Sequence, residues 1–149
     1  LKYKKEDILM VSLILGKKGS GKTKRLIEKV NEAIEKSNGN VVCVEKQPKL
    51  TYDVNYRARL IDTDHYCVSG YDAFYGFLCG ICAGDHDITD ILIDATLRIG
   101  TRDYNELAVF LKKVDELSKN HVEEKNFIFT VSADESELPV EIFDFCKKL

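Results

Sequence analysis

The sequence has no long apolar run, and this absence excludes a membrane-spanning helix. Such a helix needs about 18 or more consecutive apolar residues, and charged residues interrupt every apolar stretch well before that length. Internal repeats and low-complexity linkers are absent as well. At 149 residues the chain has the length of one domain with a real hydrophobic core.

Cysteines are few and scattered, which excludes a disulfide framework. There are five, an odd number. Cys79 and Cys82 have the spacing of a redox or zinc pair, but a tetrahedral zinc site needs two more ligands and no second pair exists. Position 82 also falls on the apolar side of a helical pattern, which favours core packing. We therefore expect a reducing, cytoplasmic environment.

The sequence also lacks an excess of positive charge. Its net charge is −3, so neither nucleic acid nor an anionic membrane is indicated as a partner. The charge is unevenly distributed: residues 1–39 contain ten Lys and Arg against five Asp and Glu, and residues 40–149 contain twelve against twenty. The cations crowd residues 17–25, where they either attract an anionic ligand or form a solvated helix face.

Residues 16–23 match a complete phosphate-binding pattern, G-x-x-x-x-G-K-[ST]. The apolar run 10–15 predicts a strand before it, and the spacing of apolar residues in 24–34 predicts a helix after it. Strand, glycine loop and helix in this order favour phosphate binding over a simple turn. The candidate nucleotide-binding residues are Gly16, Lys17, Lys18, Gly19, Ser20, Gly21, Lys22 and Thr23.

Each part of this pattern has a chemical role. Glycines let backbone N–H groups fold around phosphate oxygens, and the helix N-terminus adds partial positive charge. We expect Lys22 to reach the β- and γ-phosphates and to be catalytic, and the Thr23 hydroxyl to bind Mg²⁺. The expected ligands are therefore a nucleoside triphosphate and Mg²⁺.

Apolar runs alternate with helical patterns along the rest of the chain. This alternation predicts an α/β fold, a three-layer α/β/α sandwich with a mainly parallel sheet. We expect the first helix to end near residues 37–39 with Gly39 as its left-handed stop, Thr101 to cap a helix that ends at Asn120, and a last helix to follow Pro139. Further strands are predicted at 41–44, 58–61, 90–94 and 127–131.

Asp94 follows the apolar residues 91–93 at the end of a predicted strand. An acid in this position is the second signature of a nucleotide site, and its carboxylate would hold Mg²⁺. Many buried strands end in Asp without such a role, so the pattern gains weight only from the phosphate loop upstream.

With these two motifs the chain resembles the P-loop NTPase superfamily, and within it the RecA-like, additional-strand branch. It is also similar to short bacterial ATP-binding proteins labelled as twitching-motility ATPases, although the acidic and histidine motifs of that group are missing. The resemblance implies the P-loop NTPase fold and a bound ATP. The guanine-specific Asn-Lys-x-Asp signature is absent.

The resemblance also implies a glutamate that orients the attacking water. Many members carry it directly after the metal-binding acid, where this sequence has Ala95; RecA-like members place it where Glu45 stands. Glu45 is either this catalytic base or an exposed strand-end residue. Ser132 is either a polar phosphate sensor or a helix cap. Arginines 98 and 102 either stabilise transferred phosphate or lie free on the surface.

The leading hypothesis is a Mg²⁺-dependent ATPase that hydrolyses the β–γ phosphoanhydride. One alternative is a small-molecule kinase, with the aromatic-rich segment 71–77 lining an acceptor pocket. Another is a nucleotide-binding regulatory protein that does not hydrolyse and acts on a protein partner. Self-association is also expected, because arginines in such domains often act across an interface.

Residues 1–9 precede the nucleotide-binding domain, which we place at 10–149. They are either a non-native leader before a start at Met10 or a genuine basic arm.

Overall fold

The computed structural model describes residues 9–50, 53–119 and 124–149. The leader or arm at 1–9 and the helix end at Asn120 therefore lie wholly or largely outside the described residues. The strands are β1 Val11–Leu15, β2 Asn40–Glu45, β3 Arg59–Asp62, β4 Ile88–Ile93, β5 Asn126–Val131 and β6 Cys146–Lys148. The helices are α1 Lys22–Lys36, α2 Tyr71–Gly84, α3 Thr96–Ile99 and α4 Tyr104–Lys119.

The described strands form one sheet in the order β3-β2-β4-β5-β1-β6, and every pairing is parallel. Strand β5 therefore lies between β1 and β4. Because the strands are parallel, their carboxyl ends meet at one edge of the sheet, where ligands bind in folds of this class. The predicted α/β class with a parallel sheet is confirmed.

Helices cover both faces of the sheet. On one face α1 buries Leu26 and Val30 against residues of β1, β2 and β4. On the other face α2 and α4 pack their aromatic side chains, among them Phe74 and Phe110, against Phe129 of β5. Both cores are fully buried, so both faces of the strands are apolar, as expected for a parallel sheet. Among the described residues, every helix is too short or too polar to cross a bilayer.

Three predicted details of the elements are wrong. Helix α1 ends near the predicted position, with an extended Ser37 as its C-cap, but Gly39 is not its left-handed stop. A glycine is required at position 39 because a Cβ there would overlap Asp87 and Thr89. The side chain that caps α4 is Asp103, whose carboxylate accepts from the N–H groups of residues 105 and 106. After Pro139 the chain forms a short 3₁₀ turn, Val140–Asp144, and then β6.

Candidate functional site

The loop between β1 and α1 requires its glycines for two different reasons. Gly19 and Gly21 have left-handed backbones, with φ of 84° and 86°, which a side chain would strain. At Gly16 a Cβ would overlap the hydroxyl of Ser20. The N–H of Gly16 donates to Ala133 O at 3.1 Å and ties the loop to the end of β5. Left-handed residues within such a turn let successive N–H groups form a concave anion-binding surface.

Lys22 is the first residue of α1 and is buried, with 8% of its surface exposed. Its ammonium Nζ donates to Lys17 O at 2.9 Å, across the loop. Burial lowers the pKa of Lys22 below its ordinary value, and the nearby Asp94 carboxylate opposes this shift. The ammonium therefore lies inside the loop, beside a carboxylate, and is partly stripped of water. Lys17 and Lys18 themselves are exposed.

Thr23 and Asp94 meet although 71 positions separate them in the chain. The Thr23 hydroxyl donates to Asp94 Oδ2 at 3.2 Å and to Oδ1 at 3.4 Å. Thr23 is in the first turn of α1, and Asp94 directly follows β4. The structure thus brings together the two residues that the sequence predicted as metal ligands.

This donor set fits Mg²⁺. Hydroxyl and carboxylate oxygens are hard ligands, and Mg²⁺ is usually held by one or two protein groups, with phosphate oxygens and water completing its shell. Within the described ranges no group of three or more His, Cys, Asp and Glu side chains could hold a metal. Thr23 and Asp94 therefore suit a cation that arrives with a phosphate ligand rather than one caged by protein alone.

Thr130, which the sequence did not single out, also contacts Asp94. Its hydroxyl donates to Asp94 Oδ1 at 2.6 Å and accepts from the N–H of Ala95 at 3.0 Å. Ala95 is left-handed, with φ of 58°, a conformation that costs a non-glycine residue on the order of 1 kcal/mol or more. Thr130 of the neighbouring strand β5 thus stabilises the sharp turn that follows β4.

Glu45 lies at the end of β2, next to β4, but its carboxylate is not exposed. The residue is 2% exposed, and Oε1 accepts from the N–H groups of Lys49 at 2.7 Å and Leu50 at 3.1 Å. Burial raises the pKa of Glu45, the two amides oppose that shift, and the carboxylates of Asp62 and Asp94 add to it. Here Glu45 anchors the loop that follows its own strand. The alternative that Glu45 is an exposed residue at the end of the strand is therefore wrong.

The other polar residues that the sequence singled out make fewer side-chain contacts. Ser132 is half-buried, and its side chain makes no hydrogen bond among the described residues. Asp134 is the cap of the following 3₁₀ turn, in a reciprocal arrangement with Glu137. Arg98 and Arg102 are exposed, and their guanidinium groups have no hydrogen-bond or ion-pair partner in the described part of the chain.

The cysteine pair belongs to the core. Cys82 is 4% exposed and packs in the larger hydrophobic cluster, and burial raises its pKa. Cys79 is half-buried beside the same cluster. Both are free cysteines, as expected from core packing.

Of the aromatic residues in the segment 71–77, Tyr71 alone lines the cavity of about 470 Å³ next to this segment. Phe110, Asp103 and Glu106 are among the other residues that line it. The phenol of Tyr71 donates to Thr101 O at 2.6 Å, and burial raises its pKa to about 12. The cavity lies between the starts of α2 and α4, on the face of the sheet opposite α1.

The search for similar proteins found no match: no protein-family model, curated protein or solved structure is significantly similar to this chain.

Proposed function

We propose that this protein binds Mg·ATP in the manner of a P-loop NTPase and hydrolyses the β–γ phosphoanhydride. One observation carries the proposal: the Thr23 hydroxyl and the Asp94 carboxylate lie 3.2 Å apart, at the start of the helix that also holds the buried ammonium of Lys22. A glycine loop, a cation and two hard oxygen ligands in one place are what a triphosphate with its metal needs.

The strand order supports the same proposal. Strand β5 lies between β1, which leads into the glycine loop, and β4, which Asp94 directly follows. One strand therefore separates the two candidate motifs, in keeping with the resemblance to the additional-strand branch. Both candidate motifs lie at the carboxyl edge of the sheet, where a parallel α/β fold binds its ligands.

The residues then have distinct tasks. The loop amides and Lys22 bind the phosphates and stabilise negative charge on them, while Thr23 and Asp94 hold the metal. When bound there, Mg²⁺ neutralises charge on the β- and γ-phosphates. Glu45 is the candidate for orienting water, since it ends β2, the strand next to β4; its Oε1 accepts from the amides of Lys49 and Leu50, and Oε2 makes no hydrogen bond among the described residues.

The burial of Glu45 favours a second candidate function, a nucleotide-binding regulatory protein that does not hydrolyse. The residue is 2% exposed and its Oε1 holds the loop after β2, so little solvent reaches the carboxylate that would have to orient the attacking water. In this alternative the same loop binds nucleotide, and Glu45 only shapes the segment after β2.

Nucleotide binding is tested by calorimetry with ATP and Mg²⁺. We expect Lys22→Ala to weaken ATP binding roughly 10- to 100-fold, since hydrogen bonds to charged groups contribute about 1.5–3 kcal/mol. Lys24→Ala removes an exposed cation from the same helix turn and should bind close to wild type. Absent ATP binding, or equal loss in both variants, would contradict the proposal.

Phosphate release separates hydrolysis from simple binding. Turnover by wild type that disappears in Glu45→Gln, with ATP affinity retained, supports the ATPase and the role of Glu45. Equal turnover in wild type and Glu45→Gln would show that Glu45 has no role in catalysis. Binding without turnover in either protein supports the regulatory alternative.

A further inference from the structure

Thr130 lies on β5, the strand between the phosphate loop and Asp94. It is 3% exposed. Its hydroxyl has one proton, and the Ala95 N–H occupies its acceptor side at 3.0 Å. The proton is therefore directed to Asp94 Oδ1, at 2.6 Å. Both hydrogen-bonding functions of this buried hydroxyl serve Asp94 and the residue after it.

The contact with Thr130 is the shorter of the two that hold the Asp94 carboxylate. It measures 2.6 Å, a length typical of a hydroxyl donating to a charged carboxylate, whereas the Thr23 contacts measure 3.2 and 3.4 Å. Thr130 binds Oδ1, and Thr23 lies nearer to Oδ2. Thr130 thus sets the rotation of the carboxylate and leaves the second oxygen beside the Thr23 hydroxyl.

The same hydroxyl holds the backbone that carries Asp94. Ala95 is left-handed, and α3 begins at the next residue. Since the Ala95 N–H donates to Thr130, the turn after β4 is fixed relative to β5 rather than by its own loop alone. A metal ligand at the end of a strand needs such support, because small shifts of its carboxylate spoil octahedral Mg²⁺ geometry.

We propose that Thr130 is a positioning residue for the divalent cation, acting through Asp94 and through the turn at Ala95. This inference rests on the proposed function, since it requires that Asp94 bind a metal with its nucleotide. It assigns a role to β5 that neither sequence motif includes.

The test compares ATP affinity in Mg²⁺ and in EDTA; the ratio is the metal-dependent gain. Thr130→Val keeps the shape of the side chain but removes the hydroxyl. We expect the gain to fall about 10-fold, the lower end of the effect of losing a hydrogen bond behind a metal ligand, with affinity in EDTA unchanged. Thr130→Ser restores the hydroxyl and should restore the gain.

Thr63→Val is the matched control. Thr63 is also fully buried, directly after β3 at the same edge, but its hydroxyl has no hydrogen-bond partner among the described residues. It should show the wild-type gain. If Thr130→Val does not fold, Thr130→Cys takes its place, because a thiol is only a weak donor.

The outcomes distinguish failure of the role of Thr130 from failure of the proposed function on which it rests. A wild type that binds no nucleotide overturns the proposed function and this inference with it. A wild type with a metal-dependent gain that Thr130→Val matches overturns the inference alone. Equal loss of affinity in Mg²⁺ and EDTA does the same, since it would indicate a general structural role.

Discussion

At the residue scale, Lys22 has hydrogen-bonding capacity that the protein does not use. An ammonium has three donors, and in the described part of the chain one of them reaches Lys17 O. The group is nevertheless buried and its pKa is lowered by that burial. A phosphate that accepted the remaining N–H bonds would offset this desolvation, in keeping with the proposed nucleotide site.

Glu45 should make stability depend on pH in an identifiable way. Burial raises its pKa in the folded protein, so the folded state binds this proton more tightly than the unfolded chain. The resulting stabilisation is complete below the unfolded pKa of about 4.3 and is lost as pH rises through the folded-state pKa. Relative to Glu45→Gln, which keeps an acceptor oxygen, wild type should lose unfolding free energy as pH rises above about 4.3.

Urea unfolding at several pH values measures this difference. Glu28→Gln, an exposed change on α1, is the control and should differ from wild type by a nearly constant amount. A Glu45→Gln difference that stays constant, or that changes in the opposite direction, would show that the buried carboxylate is not the group responsible.

At the element scale, most strands were predictable because both faces of a parallel sheet are buried. The runs at 41–44 and 127–131 are almost entirely apolar, and β2 and β5 follow them to within one residue. Strand β6, Cys146–Lys148, has two lysines in three residues and no such pattern. It forms because β1 offers an edge with which it can pair. That edge exists only in the folded sheet, so the local sequence does not predict this strand.

The site was predictable to the extent that it is local. Gly16–Thr23 is a contiguous pattern, and Asp94 follows a run of apolar residues. Thr130 resembles any threonine in a strand until β5 is known to lie beside β4. Ser132, the polar residue expected there, comes after the strand has ended. Likewise the amides that hold Glu45 come from a loop without a recognisable pattern.

The packing of α2 and α4 on the sheet depends on one aromatic group. Phe110 of α4 is 2% exposed, with its ring 4.7 Å from that of Phe74 and 5.7 Å from that of Phe129. We expect Phe110→Ala to lower the free energy of unfolding by about 3–5 kcal/mol. Val109→Ala, at a neighbouring position that is 60% exposed, should change it by less than about 0.5 kcal/mol. Urea unfolding measures both, and similar midpoints would contradict this account of the core.

At the scale of the whole molecule, the region of positive charge lies at the candidate phosphate-binding loop. The protein is acidic overall, at −3, but its cations are concentrated in the first 39 residues. Lys17, Lys18, Lys24 and Arg25 are exposed around the loop. Such a local positive field in an acidic protein favours the approach of a small polyanion.

Binding at this loop should therefore stabilise the entire domain. A ligand that binds only the folded state at 100 times its Kd contributes about 2.7 kcal/mol, which raises the melting temperature of a domain of this size by roughly 5–10 °C. We expect this shift with Mg·ATP, a much smaller one with AMP, which lacks the β- and γ-phosphates, and at most about half of it in Lys22→Ala at the same ATP concentration, since a 10- to 100-fold weaker Kd leaves about 0.4–1.4 kcal/mol. Thermal melts of wild type with Mg·ATP, wild type with AMP and Lys22→Ala with Mg·ATP measure these shifts. An equal shift in wild type and Lys22→Ala would place the nucleotide elsewhere, because no other buried cation lies in the described loop.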